Sequence, residues 1–227
     1  GLAATATGLA ALVVAPWLPH WSVQGMETPA VTLLLTVGWT RHAREVTQTR
    51  GPLLAGLALG LGPAVRPDAA LGAAVVGLWH LVRRGEGRWS RRVARSAGIV
   101  LLAGLGLLVL KLAWFGSVLP NPFYVKTGAG ALDRGLLYLE RLGTVPSPAL
   151  PALLGLALVV GLGLAMRRED RALPAVLSVA WLGMVAVVGG DFMANFRLVV
   201  PIWPALAAAL AVAVDVVVRA AERRAAV

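Results

Sequence analysis

Long apolar stretches separated by short polar ones dominate the pattern of this chain. A helix needs about 20 residues to cross the hydrocarbon core of a bilayer. Six stretches reach or approach that length, although 28–40 must borrow flanking residues: 1–19, 28–40, 97–114, 149–166, 172–188 and 198–218. Two shorter stretches, 52–65 and 69–82, would each rise only about 21 Å as a helix. The pattern predicts an all-α, polytopic transmembrane helix bundle with about six full spans plus a short hairpin.

The composition agrees with a membrane protein. Hydrophobic residues make up 58% of the 227 residues, and 14% are charged, against about 25% in a soluble domain. Cysteine is absent, which excludes disulfides and cysteine-ligated metal sites. Because the sequence opens at Gly1 inside an apolar run, we expect residues 1–227 to be one transmembrane domain truncated at its N-terminus, with its C-terminal completeness left open.

The basic residues give the chain a net charge of +10, and they are clustered. Nucleic-acid surfaces interleave basic with aromatic or polar residues, and only Trp89 does so here, so we predict no nucleic-acid partner. Short basic loops mark the cytoplasmic side of a membrane, which places loops 20–27, 115–148 and 189–197 on the outer side. The clusters hold 15 of the 21 Lys and Arg: Arg41, Arg44, Arg50, Arg83, Arg84, Arg88, Arg91, Arg92, Arg95, Arg167, Arg168, Arg171, Arg219, Arg223 and Arg224.

The stretch "GGDFMANFR" carries two opposite charges, Asp191 and Arg197, between apolar runs. Ionisable residues at membrane depth are costly unless they are paired or face a polar cavity. The simple interpretation is a structural salt bridge in an outer loop. The functional one places the arginine on a phosphate or sugar hydroxyl, and the aspartate on a hydroxyl or a metal ion.

A second polar stretch, "WFGSVLPNPFYVKTG", lies in the longest predicted outer loop. Two prolines bracket Asn121 and stiffen the chain, and Tyr124 and Lys126 follow. Aromatic residues at the membrane interface explain the tyrosine. They do not explain the asparagine or the lysine, so we predict a ligand-facing loop in which Lys126 could meet a lipid phosphate.

Charged residues also lie next to two predicted helix starts. Arg66 and Asp68 lie at the predicted hairpin tip, where a mutual salt bridge and cap is one explanation and a buried phosphate site is the other. Glu27 precedes the next helix, whose dipole favours an acidic residue there. Asp133, Arg134, Glu140 and Arg141 look like the solvated face of a short loop helix. Asp215 lies at the spacing of a helical ion pair with Arg219.

Taken in chain order, these pieces resemble a bacterial family of GT-C type, polyprenyl-phosphate-sugar-dependent membrane glycosyltransferases, similar to the terminal arabinofuranosyltransferases of the mycobacterial cell wall. That family carries "GxET", "RPE" or "RPD", "YFG..LPNTFYAK" and "GGDFM...R...P" in this order. Pro122 departs from the threonine common in the family, and the loop after Met193 is short, so acceptor choice stays open. The matching residues here are Gly25, Glu27, Thr28, 66–68, Phe115, Gly116, 119–121, Phe123, Tyr124, Lys126, 189–193, Arg197 and Pro201.

The resemblance implies an enzyme of the bacterial plasma membrane that moves a hexosyl or pentosyl group from a polyprenyl-phosphate donor to a cell-envelope glycan or lipid on the outer face. The family places its catalytic carboxylate on an outer loop that would precede Gly1, so the base is expected to lie outside this chain, with Asp191 the alternative within it. No cofactor is certain, and a divalent metal ion stays open. The implied substrate-binding residues are Glu27, Arg66, Asp68, Asn121, Tyr124, Lys126, Asp191 and Arg197.

Two other classes of function fit the same polar loops. A transporter or flippase of lipid-linked saccharides would also need cations near one membrane face, but it would be expected to show paired broken helices in two halves. A noncatalytic membrane scaffold would use the loops to bind a protein. Sequence motifs for soluble nucleotide chemistry, zinc proteolysis or a serine nucleophile are absent.

Overall fold

Small residues and long apolar runs give this chain a bundle of helices. The computed structural model describes residues 1–13, 15, 17–24, 27–45, 53–84, 91–117, 130–144, 149–167, 169–191 and 195–225. These residues are 88% helical and include no strand. The ten α-helices within this part of the chain are α1 (Leu2–Val13), α2 (Trp17–Val23), α3 (Thr28–Glu45), α4 (Leu54–Val65), α5 (Ala69–Arg84), α6 (Arg91–Phe115), α7 (Ala131–Thr144), α8 (Ala149–Met166), α9 (Leu173–Val187) and α10 (Trp203–Ala225).

Helix lengths in the described part of the chain suggest a membrane protein but do not confirm six full spans. Three helical segments are long and apolar enough to cross a bilayer: Val93–Phe115, Asp170–Val187 and Val200–Ala225. A fourth crossing exists only if α1 and α2, which meet at 52°, form one bent span. The stretch 28–40 falls short because α3 continues through Arg41, His42 and Arg44. The stretch 149–166 falls short because its apolar helical part, Pro151–Met166, is too short to span.

The predicted hairpin is present. Helix α4 ends at Val65, and the Arg66 backbone N–H donates to the Gly62 carbonyl at 2.9 Å. The amides of Ala69 and Ala70 then donate to the Arg66 and Pro67 carbonyls at 3.1 Å, which starts α5. We call the end of the bundle that holds this turn the tip end.

Close approach through small residues packs α4 against α6. A Cβ atom added at Gly56 would lie 2.8 Å from the Ser96 Cα atom, and one added at Gly60 would lie 3.3 Å from the Ala103 Cβ atom. The two glycines are four residues apart, the spacing that brings transmembrane helix backbones together. Helix α6 is therefore fixed along α4, and the rest of its surface is largely exposed.

The end of the bundle opposite the tip collects basic residues, and we call it the basic end. Helix α3 runs from the tip to Glu45, whose Oε1 atom accepts the Ala55 amide at 3.2 Å where α4 begins. Helix α10 runs from the tip to Ala225 through Asp215 and Arg219. The predicted helical ion pair between these two side chains is confirmed at 2.8 Å.

Candidate functional site

The hairpin turn holds a buried arginine between two carboxylates. The Arg66 side chain is 8% exposed. It donates from Nε to Asp68 Oδ1 at 3.1 Å and from Nη2 to Asp68 Oδ2, a two-point ion pair. The salt bridge offered as the simple interpretation of "RPD" is therefore present. Its partner Asp68 is 18% exposed, so the pair lies mostly out of solvent.

Glu27 joins this pair from a distant part of the sequence. Its Oε1 atom lies 3.9 Å from Arg66 Nε, and its side chain is 35% exposed. Its backbone carbonyl accepts the Val31 amide at 3.1 Å, so it also stands at the start of α3, as the helix-dipole interpretation predicts. Glu27 thus serves the helix start and the arginine together, and two carboxylates flank one guanidinium.

Asp191 and Arg197 form a largely buried ion pair. Arg197 Nε donates to Asp191 Oδ2 at 2.9 Å, with the aspartate side chain fully buried and the arginine 15% exposed. Gly189 and Gly190 adopt φ angles of +87° and +67° after α9, a conformation that glycine reaches without strain. This turn brings Asp191 back over the end of α9 and into reach of Arg197.

Tryptophan side chains hold the segment that carries Arg197. The Trp21 indole donates to the Asn195 carbonyl at 2.7 Å, and the Trp181 indole donates to the Leu198 carbonyl at 2.7 Å. Asn195 has a φ of +60°, which is uncommon for residues other than glycine. Buried hydrogen bonds from two helices therefore fix the backbone on both sides of the arginine.

Tyr138 is a site residue that the sequence analysis missed. It lies on α7, 9% exposed, with its ring edge-to-face on Phe196 at 5.4 Å between centroids. Its hydroxyl is buried without a hydrogen-bond partner of good geometry among the described residues. Burial raises the pKa of the Tyr138 phenol well above its ordinary value; the charge of Asp191 adds to the rise, while the Leu198 backbone and the guanidinium groups of Arg197 and Arg66 oppose it.

Charged groups from both ion pairs lie within electrostatic reach of one hydroxyl. Arg66 comes from the hairpin, and Asp191 and Arg197 come from the segment after α9, yet all three act on the Tyr138 phenol. The sequence did carry a signal for Tyr138, because Ala131, Gly135, Tyr138 and Leu142 are buried at helical spacing along α7. The expected solvated face of this helix is present too, at Asp133 and Arg134.

Close packing explains how α7 reaches the site. A Cβ atom on Gly135 would lie 2.0 Å from the Ala186 carbonyl oxygen, and one on Gly190 would lie 2.7 Å from the Tyr138 Cβ atom. Only glycine permits this approach of α7 to the end of α9. The double glycine therefore both turns the chain and makes room for the tyrosine.

The structure pairs five of the eight predicted site residues in two groups: Glu27 and Asp68 around Arg66, and Asp191 with Arg197. The other three, Asn121, Tyr124 and Lys126, lie outside the described residues. Within the part of the chain that is described, no three His, Asp or Glu side chains are placed to hold a metal ion. The charged groups of the site, Glu27, Arg66, Asp68, Asp191 and Arg197, sum to −1 at neutral pH.

Hydrogen-bonding capacity at the site is not used up within the described residues. Arg66 Nη1 is buried without a partner there, and so is the Tyr138 hydroxyl. A buried donor left unpaired costs free energy that a ligand oxygen can recover. The site can thus donate from a guanidinium and a phenol while its carboxylates accept from hydroxyl groups.

Comparison with protein-family models, with curated proteins and with solved structures found no match for this chain.

Proposed function

We propose that this protein is a membrane glycosyltransferase that moves a sugar from a polyprenyl-phosphate donor to a glycan or lipid acceptor at the outer face of a bacterial plasma membrane, within a bundle of about six spans. The observation that carries the proposal is the gathering of Glu27, the Arg66–Asp68 pair and the Asp191–Arg197 pair at one end of the bundle. These residues come from three separated pieces of the sequence, which are three of the four pieces on which the family resemblance rests.

Transfer from a lipid phosphate needs a donor for the charge that develops on the departing phosphate. Arg66 suits this role because its Nη1 atom is buried and unpaired among the described residues. Its Nε and Nη2 atoms are held by Asp68, which fixes the plane of the guanidinium. Lys126, outside the described residues, is the second candidate for the phosphate.

The carboxylates suit the sugar better than the proton transfer. Asp191 accepts a hydrogen bond from Arg197 Nε, and its side chain is fully buried, so this carboxylate oxygen is held by a fixed partner. A general base must give up such a tie to take a proton from the acceptor hydroxyl. We therefore assign Asp191 to holding sugar hydroxyls, and Glu27, which is more exposed, to the entrance of the site.

Radiolabelled transfer tests the proposal directly. Membranes containing the full-length protein would be supplied with a panel of polyprenyl-phosphate sugars, and incorporation into the cell-envelope acceptor fraction would be counted. Arg66→Lys keeps the charge but loses the two-point geometry, and we expect it to lower transfer at least tenfold, with Asp191→Asn similar. Arg219→Ala, at the basic end, is the matched control and should transfer normally.

One result would overturn the proposed function, and a second would overturn the proposed site. Absence of transfer with every donor, while the protein remains folded, would favour a transporter or a scaffold. Normal transfer by both Arg66→Lys and Asp191→Asn would leave a glycosyltransferase whose site lies elsewhere. Detergent-solubilised melting temperatures of each variant separate loss of chemistry from loss of fold.

A further inference from the structure

An apolar cavity of about 730 Å³ lies between α4, α5 and α6 and reaches Pro67 of the hairpin turn. Its described lining includes Leu59, Val76, Val100 and Leu105. The stretch of α6 along it, from Val93 to Lys111, rises about 27 Å, close to the thickness of a bilayer core of about 30 Å. The cavity therefore follows the membrane direction along one helix.

The lipid side of the cavity is open. No residue in the apolar window of α6 is buried, and Leu101 and Leu105, which line the cavity, are 71% and 58% exposed. A hydrocarbon chain in the surrounding bilayer could enter between α5 and α6 without passing through water. The position of the opening favours a lipid over a water-soluble ligand.

Polar groups in the lining are few and lie toward its two ends. Among the described lining residues these are His42, His80, Ser96 and Lys111, and none is acidic. The two histidines stack edge-to-face toward the basic end, with ring centroids 5.3 Å apart. Lys111 lies one helical turn from the end of α6, and Pro67 of the hairpin turn also lines the cavity.

The charge of Lys111, which lines an apolar cavity, would be balanced by an anion bound beside it. Ionisable residues within a span pair with other groups or face a polar feature, and the lining offers Lys111 no carboxylate. A lipid phosphate supplies the charge at the level where the cavity ends, as a point contact that an ammonium group makes well. Pro67, in the lining, is bonded directly to Arg66 and Asp68, so this phosphate would lie beside the charged site.

We infer that the cavity between α4, α5 and α6 binds the hydrocarbon chain of a single-chain polyprenyl monophosphate, with its phosphate at Lys111. The volume falls within the range of sites that hold one small ligand, which suits one chain better than two. The inference rests on the proposed function for the class of lipid, but binding of a sugar-free lipid requires no transfer.

The glycines of α6 allow a matched pair of variants. A Cβ atom at Gly104 or at Gly106 would meet no atom within 4 Å, so both positions accept a larger residue without a backbone clash. Gly104 lines the cavity, whereas Gly106 does not. Gly104→Leu fills the cavity and Gly106→Leu adds the same side chain to the same helix elsewhere. Gly77→Leu fills the cavity from α5, where space is also open.

Equilibrium binding of a fluorescent, sugar-free polyprenyl monophosphate to the full-length protein in nanodiscs tests the inference. We expect Gly104→Leu, Gly77→Leu and Lys111→Gln each to weaken binding about tenfold. Gly106→Leu should bind as the unmodified protein does, and Lys111→Arg should retain most of the affinity. Polyprenol, which lacks the phosphate, should bind the unmodified protein weakly. Its affinity should be about the same as that of polyprenyl monophosphate for Lys111→Gln, because each experiment removes one partner of the same contact.

Several outcomes would overturn this inference. Undiminished binding by both Gly104→Leu and Gly77→Leu would show that the hydrocarbon chain of the lipid binds outside the cavity. Equal competition by a two-chain phospholipid would contradict the preference for a single-chain polyprenyl lipid. Equal binding of polyprenol and its phosphate would remove the role of Lys111. Normal lipid binding without sugar transfer would leave the cavity site standing while the proposed function fails, so the two failures are distinguishable.

Discussion

Two groups of opposite charges lie at opposite ends of this bundle and differ in their access to solvent. At the tip end, the Asp191 side chain is fully buried and Arg197 is 15% exposed. At the basic end, Asp215 pairs with Arg219 and Arg171, whose side chains are 57% and 46% exposed. Exposed pairs contribute little to stability, whereas a buried pair must first offset the desolvation of both ions.

The difference teaches where to look for function. An apolar pair of similar volume could replace a buried ion pair with no loss of stability, and often with a gain. The basic-end network costs little to keep, so it needs no explanation beyond solvation. The tip-end pair keeps two charges out of water at the end of the bundle that also holds the buried Arg66 Nη1 atom and Tyr138 hydroxyl, which have no hydrogen-bond partner of good geometry among the described residues. This arrangement is consistent with the proposed binding of a polar ligand.

Removal of one tip-end charge should have the largest effect on stability. Asp191→Ala leaves the Arg197 charge in a largely buried position without its carboxylate, which costs about 3–5 kcal/mol. The free energy of unfolding in detergent micelles, from denaturant titration followed by tryptophan fluorescence, measures this loss. Asp215→Ala is the control and should lose much less. Equal losses in the two variants would end the distinction between the two ends.

Interruption of the contact between α7 and α9 should come next in size. Gly135→Ala would place a methyl group 2.0 Å from the Ala186 carbonyl oxygen, and overpacking of this kind costs about 1–3 kcal/mol. Gly155→Ala, in α8, meets no atom within 4 Å and should be neutral or slightly stabilising, because alanine favours helix. The same unfolding measurement applies, and a neutral Gly135→Ala would show that α7 is not held against α9.

Features of the fold and of the site could be predicted where a short stretch of sequence determines them. The hairpin turn at 66–68 follows from proline chemistry and two apolar runs, and it is confirmed. The charges at Asp191 and Arg197 stood out because their neighbours are apolar. Six full spans were predicted from apolar length alone, but α3 runs on into charged residues and α1 meets α2 at a bend, so the structure supports three, or four with the bent pair.

Long-range packing was what the sequence left undetermined. Tyr138 lies on a helix whose charged face was evident, while its buried face shows only as small and apolar residues at helical spacing. Nothing local indicates that Gly135 meets Ala186, or that Tyr138 meets Gly190. Likewise, the open space at Gly104 and the close approach at Gly56 occur in similar small-residue sequences, and only the neighbouring helix distinguishes them.

The Tyr138 phenol should reveal its environment at alkaline pH with a smaller effect. Its raised pKa means that the unfolded chain releases the proton first, so its contribution to stability is present below the ordinary tyrosine pKa of about 10 and is lost as the pH rises further. Melting temperatures of the unmodified protein and of Tyr138→Phe should differ little at pH 8. Above pH 10 the unmodified protein should fall relative to the variant, and parallel melting curves would contradict the buried, unionised phenol.

The smallest expected effect is a difference in how salt changes the melting temperatures of variants at the two ends. Exposed charges are screened at distances near the Debye length of about 8 Å at physiological ionic strength, so Arg219→Ala should lower the melting temperature slightly at low salt and not at all in 1 M NaCl. The loss caused by Asp191→Ala should persist at both salt concentrations, because solvent ions do not reach a fully buried carboxylate. A salt-sensitive loss at Asp191 would mean that ions enter the tip end, and the unpaired Arg66 and Tyr138 groups would then face water instead of a dry site.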